Sequence, residues 1–234
     1  MKPALQRDSS MLITFSGLDG SGKSTQIEGL RAALGLLGYR STLRAFWDHV
    51  VVGARWREGF VHKVYRSERG VGEPGKPVAR RDKNVRHWYL TLARHLLYLL
   101  DAVHLDFVVA RERRRGNALV MDRYIYDELA NLPLANRATQ LFVRAVHAFV
   151  PRPDIAYLLD ADPDAAVARK PEYPVEFMRH CRAAYFELAR QLGNLTVIPP
   201  LPLDKAREAV LRELLAELLH KERRGRAIRY TQAA

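Results

Sequence analysis

The chain has 234 residues, of which 48% are hydrophobic and 27% are charged, values that are ordinary for a globular protein. This composition excludes a collagen-like repeat, a low-complexity chain and a disordered tail protein. Lysine and arginine number 38, and aspartate and glutamate number 26. The resulting net charge of +12 favours anionic partners such as nucleotides, nucleic acid or acidic surfaces, without selecting one of them.

Cysteine content and hydropathy indicate the cellular setting. The single cysteine, Cys181, excludes an internal disulfide and argues against a cysteine-ligated zinc site. No apolar run approaches the ~18 residues of a membrane-spanning helix, and residues 1–10 lack the apolar core of a signal peptide. We therefore expect a cytoplasmic protein without a membrane partner, and a loose N-terminus over residues 1–10.

The first predicted elements form a strand–helix–strand unit. Residues 11–15 (MLITF) are a short apolar run that is typical of a buried strand. Residues 24–37 have apolar side chains at helical spacing, and Gly38 follows as a helix-ending glycine. A second strand is predicted over residues 40–47. The three elements make a βαβ unit, whose crossover is expected to be right-handed.

A long helix dominates the next third of the chain. It is predicted over residues 85–115, after a mixed, helix-like segment at 50–66 and a loop at 67–77 that is rich in glycine, proline and charge. The helix ends in an arginine cluster, which suits the negative end of the helix dipole. Its apolar residues share one broad face: Leu92, Leu96, Leu99, Leu100, Val103 and Phe107.

The remaining sequence alternates apolar runs with helical patterns. Strands are predicted over 118–121, 154–159 and 196–198, and helices over 124–131, 137–149, 175–192 and 203–221, with another opened by Pro163. The tail, 222–234, is basic and expected to be loose. The alternation predicts one α/β domain over residues 1–234, in which a five-stranded parallel sheet has helices on both faces and so makes three layers.

A phosphate-binding motif follows the first strand. Residues 17–24 read GLDGSGKS and match G-x-x-x-x-G-K-[ST], directly before a predicted helix. Glycines let successive backbone N–H groups converge on phosphate oxygens, and the helix adds its positive N-terminal end. In this motif Lys23 reaches the β- and γ-phosphates and the Ser24 hydroxyl ligates Mg²⁺. The motif therefore predicts a site for ATP and Mg²⁺.

A second polar position lies at the end of the third strand. Asp122 follows the apolar run of that strand, and ligands of open α/β sheets bind outside the carboxyl ends of the strands. A carboxylate at this place can hold Mg²⁺ through water beside the phosphate loop. Arg123 is expected to lie in the same crevice.

Three segments together resemble the thymidylate kinase family. They are FSGLDGSGKSTQ at 15–26, the Asp-Arg-Tyr sequence at 122–124, and PDIAYLLDADP at 153–163. The resemblance extends from about Met11 to Leu192, and the combination of segments is more specific than the phosphate loop alone. It implies a nucleoside monophosphate kinase fold of the P-loop class, with a five-stranded parallel sheet, a phosphate loop and a lid.

The resemblance also implies roles for individual residues. Asp19 matches a carboxylate that binds the sugar hydroxyl of the acceptor, and Arg123 matches the arginine at the acceptor phosphate. Arg169 lies in the lid, residues 169–176 (RKPEYPVE), where family arginines contact the transferring phosphoryl group. The residues expected to hold ATP are Gly17, Asp19, Gly20, Ser21, Gly22, Lys23, Ser24 and Thr25.

Departures from the family pattern occur on the acceptor side. Residues 46–49 (FWDH) replace an Arg-Glu-Pro stretch, so Asp48 is the only carboxylate available there, and it is the candidate base if the acceptor is a hydroxyl. Asp101 stands where the family has an arginine that helps to read the base. Residues 125–128 (IYDE) replace small hydroxyl residues. The donor side, in contrast, is intact.

These observations predict an ATP-dependent phosphotransferase that acts on dTMP or a related nucleotide. Three alternatives stay open: a kinase for another small molecule, a nucleic-acid-binding protein that uses ATP, and a non-catalytic relative. The net charge and the basic tail support the second of these. By its resemblance to the family, the chain is expected to form a homodimer through the helix at 85–107.

Overall fold

The computed structural model describes residues 10–52 and 88–233. Three predicted segments lie outside these residues: the loop at 67–77, most of the helix-like segment at 50–66, and all but the last residue of the loose terminus at 1–10.

A five-stranded parallel sheet forms the centre of the protein, as the sequence predicts. Its strands, in the order β2-β3-β1-β4-β5, are β1 Leu12–Gly17, β2 Ser41–Ala45, β3 Ala118–Asp122, β4 Ile155–Leu159 and β5 Leu195–Ile198. The strand order reverses at β1, between β3 and β4. The segment that follows β1 therefore leaves the sheet at the switch point where ligands bind in open α/β folds.

Helices cover both faces of the sheet in the described residues. In chain order they are α1 Lys23–Leu36, α2 Phe46–His49, α3 Trp88–Arg114, α4 Ile125–Leu129, α5 Arg137–Phe149, α6 Pro163–Arg169, α7 Val175–Leu192 and α8 Leu203–Ala233. Alternate side chains of β1 enter different cores. Ile13 and Phe15 pack with residues of α1 and α8, whereas Leu12 packs with residues of α3, α4, α5 and α7. This period of two gives the predicted three layers.

Two predicted boundaries are wrong. β2 ends at Ala45 rather than at residue 47, because its partner β3 ends opposite it at Asp122 and no ladder remains for Phe46. α8 continues to Ala233, so the helix end predicted at residue 221 is wrong, whereas the looseness predicted for the tail stays a prediction. Most of residues 222–233 are good helix formers, and one internal glycine costs only about 1 kcal/mol, which is too little to end a long helix.

The apolar face of α3 is exposed in the described part of the chain. Its six residues are between 43% and 63% exposed: Leu92, Leu96, Leu99, Leu100, Val103 and Phe107. The opposite face contributes Tyr98, Ala102, Leu105 and Val109 to the core. None of the helices between residues 10 and 52 or 88 and 233 has the length and apolar character needed to cross a membrane.

Candidate phosphate-transfer site

The phosphate loop joins β1 to α1 and lies tightly against its neighbours. Gly17, Gly20 and Gly22 have φ of 138°, 80° and 87°, in the left-handed region that favours glycine. A Cβ at Gly17 would lie 2.4 Å from the Leu159 carbonyl oxygen, and one at Gly20 would lie 2.6 Å from the Ala166 carbonyl oxygen. The ends of β4 and α6 therefore leave room only for glycine at these two positions.

The N-terminus of α1 is suited to an anion. Gly22 precedes the helix without a side-chain cap, and the first turn contains no acidic residue. Ser24 is exposed in that turn and Thr25 is partly exposed. The first N–H groups of the helix are therefore available to phosphate oxygens, as the motif predicts.

Lys23 lies folded over the loop. Its Nζ donates to the carbonyl oxygens of Gly17 and Leu18 at 2.9 and 2.7 Å. Burial, and after it the positive charge of Arg123, lowers the pKa of Lys23 to about 8, although Asp19, Asp127 and Asp122 partly oppose the shift. The sequence predicts these side chains for separate roles: Lys23 on the donor side, Arg123 on the acceptor side and Asp122 as a metal ligand. In the structure they influence one another in one site.

Buried oxygens in the site suit a divalent cation. Asp122 Oδ1 and Ser21 Oγ are both buried, and neither has a hydrogen-bond partner among the residues that the structure describes. Carboxylate and hydroxyl oxygens are the ligands that Mg²⁺ prefers in proteins. Asp122 and the exposed Ser24 therefore have the right chemistry to hold Mg²⁺, directly or through water.

Arg123 connects the loop to the end of β3. Its guanidinium forms an ion pair with Asp19 in the loop and lies 3.4 Å from Asp127 Oδ1 in α4. Burial opposes the charge of Arg123, but Tyr185, Asp127 and Asp19 outweigh it, so the pKa of Arg123 is raised. The arginine thus keeps its positive charge in a partly buried position, which suits the predicted role at the acceptor phosphate.

Asp127 is the residue of this site that the sequence did not reveal as functional. It appeared only as a departure from the family's hydroxyl residues, yet the structure buries its carboxylate beside Arg123. A partial signal was present in the spacing. Asp127 is the third residue of α4, where an acid can accept from the N–H of the residue that precedes the helix, as it does here from Tyr124.

The lid residues follow α6 at the edge of the loop. Arg169 is exposed in the last turn of that helix, and its predicted role stays a prediction. Lys170 Nζ lies 2.9 Å from Glu172 Oε1. Burial lowers the pKa of Lys170, but the hydrogen bond that Lys170 donates to Glu172 and the charge of Asp19 in the phosphate loop raise it overall.

The segment after β2 is attached to α3. Asp101 is fully buried and accepts a hydrogen bond from the Val52 N–H at 2.9 Å. His104 Nδ1 lies 2.8 Å from the Val50 carbonyl oxygen. Where the family has an arginine, this chain therefore has an acid that binds the backbone after α2. Asp48 is exposed in α2, and its predicted roles stay predictions.

The fold and the site together define a P-loop phosphotransferase with the architecture of the nucleoside monophosphate kinases. The glycine-rich loop follows the central strand, and an aspartate and an arginine at the end of the neighbouring strand lie beside it.

Comparison with known proteins identifies the family. The sequence model for thymidylate kinase matches residues 78–205. A thymidylate kinase of Bifidobacterium longum subsp. infantis is 28% identical over 197 residues, which cover 80% of this chain and 77% of that protein. A probable thymidylate kinase of Methanocaldococcus jannaschii is 26% identical over 192 residues, which cover 80% of this chain and 86% of that protein.

A solved structure agrees in fold. The crystal structure of thymidylate kinase from Ehrlichia chaffeensis matches with a TM-score of 0.54 and 18% identity, covering 88% of this chain and 99% of that one. The chain belongs to the thymidylate kinase family, and the resemblance read from its three sequence segments is confirmed.

The space around Gly20 predicts the effect of a single methyl group. Gly20→Ala should lower the stability by about 2 kcal/mol, because its Cβ meets the Ala166 carbonyl, and should weaken ATP binding at least ~10-fold. Gly35→Ala in α1 meets nothing within 4 Å and should instead stabilise by about 0.5–1 kcal/mol. Urea unfolding measures the stability of both variants, and calorimetric titration measures their affinity for ATP. Equal stability and equal affinity in the two variants would contradict the prediction.

The lowered pKa of Lys23 predicts a pH-dependent stability. The unfolded chain holds this proton up to about 10.5, and the folded chain only to about 8. Below pH 8 the protonated Lys23 therefore lowers the free energy of unfolding by a constant amount. Between the two pKa values the free energy of unfolding rises with pH, by a total on the order of 3 kcal/mol. Lys23→Met removes the penalty.

The measurement is urea unfolding of wild type and Lys23→Met from pH 7 to 10. The stability advantage of Lys23→Met should shrink as the pH rises through about 8. Lys205→Met, at an exposed lysine of α8, controls for the loss of one charge. A constant difference between wild type and Lys23→Met would contradict the lowered pKa.

Proposed function

We propose that this chain is an ATP-dependent nucleoside monophosphate kinase that transfers the γ-phosphoryl group of ATP to dTMP and releases ADP and dTDP. The observation that carries the proposal is the ion pair between Asp19 and Arg123, in a chain that belongs to the thymidylate kinase family. The pair joins the loop on the donor side to the arginine expected at the acceptor phosphate, so both substrates meet at one place.

The phosphate loop supplies the donor side. Backbone N–H groups from Gly17 to Thr25 and the positive end of α1 bind the phosphates of ATP, and Lys23 turns from the loop carbonyls towards them. Ser24 and Asp122 would hold Mg²⁺, which would supply neutralisation of the charge on the phosphates. Transfer then depends on positioning and on charge neutralisation more than on covalent chemistry of the protein.

Arg123 and Asp19 organise the acceptor side. Arg123 binds the phosphate of the acceptor, and Asp19 accepts a hydrogen bond from a sugar hydroxyl. The attacking atom is a phosphate oxygen that already carries negative charge, so no general base is required. Asp48 is therefore free to serve in binding rather than in proton transfer.

The lid completes the site. Arg169 ends α6 and Lys170 follows it, and both approach the transferring phosphoryl group when the lid closes. Closure over the phosphates excludes water, which would otherwise compete with the acceptor and hydrolyse ATP.

The exposed apolar face of α3 supports a homodimer. Six large apolar side chains on one helix make an exposed patch that is unusual for a monomer, and a second copy of the same face is the occupant that matches it in character. The nucleic-acid alternative is not favoured by the family assignment. A cytoplasmic location, where both nucleotides occur, is part of the same proposal.

The activity is tested by ATP consumption with Mg²⁺ and a panel of acceptors: dTMP, dUMP, other nucleoside monophosphates, thymidine, and none. ATP consumption is expected when dTMP is the acceptor, and none is expected when the acceptor is omitted. Lys23→Ala should abolish it, and Arg123→Ala should lower kcat/KM for dTMP about 10²–10³-fold, as expected for a lost charged donor. Arg144→Ala, at an exposed arginine of α5, is the control. ATP binding without transfer to any nucleotide would contradict the proposal.

The dimer is tested by sedimentation equilibrium. Wild type is expected at twice the mass of one chain, and Val103→Arg at the mass of one, because the new charge lies within the apolar face of α3. Leu215→Arg, at a 49% exposed position of α8, should stay dimeric. A monomeric wild type, or a dimeric Val103→Arg, would exclude this interface.

A further inference from the structure

We propose that Asp127 is the positioning residue that holds Arg123 in its acceptor-binding conformation. The inference rests on the proposed function, since it concerns the arginine assigned there to the acceptor phosphate. It starts from a buried carboxylate that the proposed transfer does not itself use.

The carboxylate of Asp127 accepts hydrogen bonds from three parts of the fold. Its Oδ2 accepts from Ser16 Oγ in β1 at 2.6 Å and from the Tyr124 N–H at 2.9 Å. Its Oδ1 accepts from the Tyr185 hydroxyl in α7 at 2.7 Å and lies 3.4 Å from Arg123 Nη1. Two donors at each oxygen use the full accepting capacity of the group.

Burial makes this arrangement specific. The Asp127 residue is only 4% exposed, and a carboxylate at such depth is costly unless it is paired and hydrogen-bonded. Burial, with the charge of Asp127, raises the pKa of Tyr185, so this tyrosine stays a hydroxyl donor. The carboxylate is therefore stable in one position, which is adjacent to the Arg123 guanidinium.

The backbone of Arg123 depends on the same group. Arg123 has φ of 67°, which is uncommon for a residue other than glycine and persists where the surroundings determine it. The N–H of Arg123 donates to the Phe15 carbonyl oxygen at 2.8 Å, and the next N–H, of Tyr124, donates to Asp127. Asp127 thus acts on Arg123 twice, through the following peptide and through the guanidinium.

This arrangement divides the control of Arg123 between two carboxylates. Asp19 contacts the guanidinium from the phosphate loop and, in the proposed function, also binds the acceptor sugar. Asp127 is buried and is 3.4 Å from the guanidinium, so it remains in place when the acceptor enters. Asp127 therefore maintains the direction of Arg123 while Asp19 exchanges partners.

The test is a double-mutant cycle with dTMP as acceptor: wild type, Asp127→Asn, Arg123→Ala and the combination. Asp127→Asn should lower kcat/KM for dTMP about 10²-fold, the typical cost of displacing a positioned group by ~1 Å, and leave the KM for ATP unchanged. In the Arg123→Ala background the same change should have no further effect, because its action passes through Arg123.

Three further variants separate positioning from stability. Tyr185→Phe removes one hydrogen bond to Asp127 but keeps the charge beside Arg123, so it should retain most of kcat/KM for dTMP. Asp154→Asn removes a carboxylate that accepts from the Leu12 N–H at 2.7 Å, at the opposite end of β1, and should change stability without changing either KM. Asp127→Ser replaces Asp127→Asn if the latter does not fold, with the same expectation.

If the losses in kcat/KM from Asp127→Asn and Arg123→Ala add fully in the double variant, the proposal is overturned, since Asp127 then acts independently of Arg123. An Asp127→Asn enzyme with wild-type kinetics would overturn it as well. If wild type neither binds nor phosphorylates dTMP, the proposed function fails, and a crystal structure of Asp127→Asn decides the positioning role alone. The proposal then requires Arg123 to leave its φ of 67° or its ion pair with Asp19.

Discussion

The close packing of the phosphate loop against β4 and α6 is the constraint on which the rest of the site depends. Two backbone carbonyls, those of Leu159 and Ala166, occupy the space that side chains at Gly17 and Gly20 would need. The loop is therefore compact, its N–H groups converge, and Lys23 returns over it. Because β1 is the central strand, this compact loop lies beside the ends of both β3 and β4.

Arg123 joins that loop to the end of β3, which is the acceptor side in the proposed function. It is a charged residue in an uncommon backbone conformation, and it is paired with carboxylates from two elements, Asp19 and Asp127. Its charge lowers the pKa of Lys23, and their acidic neighbours offset the repulsion between the two cations. Lys23 and Arg123 are thus electrostatically coupled.

The departures from the family pattern have structural explanations on this side of the site. Asp101, at the position of a base-reading arginine, binds the backbone after α2 instead. Asp127, at the position of a hydroxyl residue, supports the arginine. Both acids are buried among donors that come from distant parts of the chain. Apart from the local contact of Asp127 with the Tyr124 N–H, such partners have no sequence signature, and this is why Asp101 appeared only as a loss and Asp127 only as a substitution.

Local patterns in the sequence by themselves determined the fold class, the five strands, most helix bounds and the phosphate loop, because apolar periodicity and glycine spacing are properties of neighbouring residues. Family resemblance added the roles expected of Arg123 and Asp19 towards the acceptor. The tertiary structure alone decided where β2 ends, since that depends on the length of β3. It alone brought Ser16, Asp127 and Tyr185 together, because residues 111 and 58 positions apart meet only when the sheet and its helices have packed.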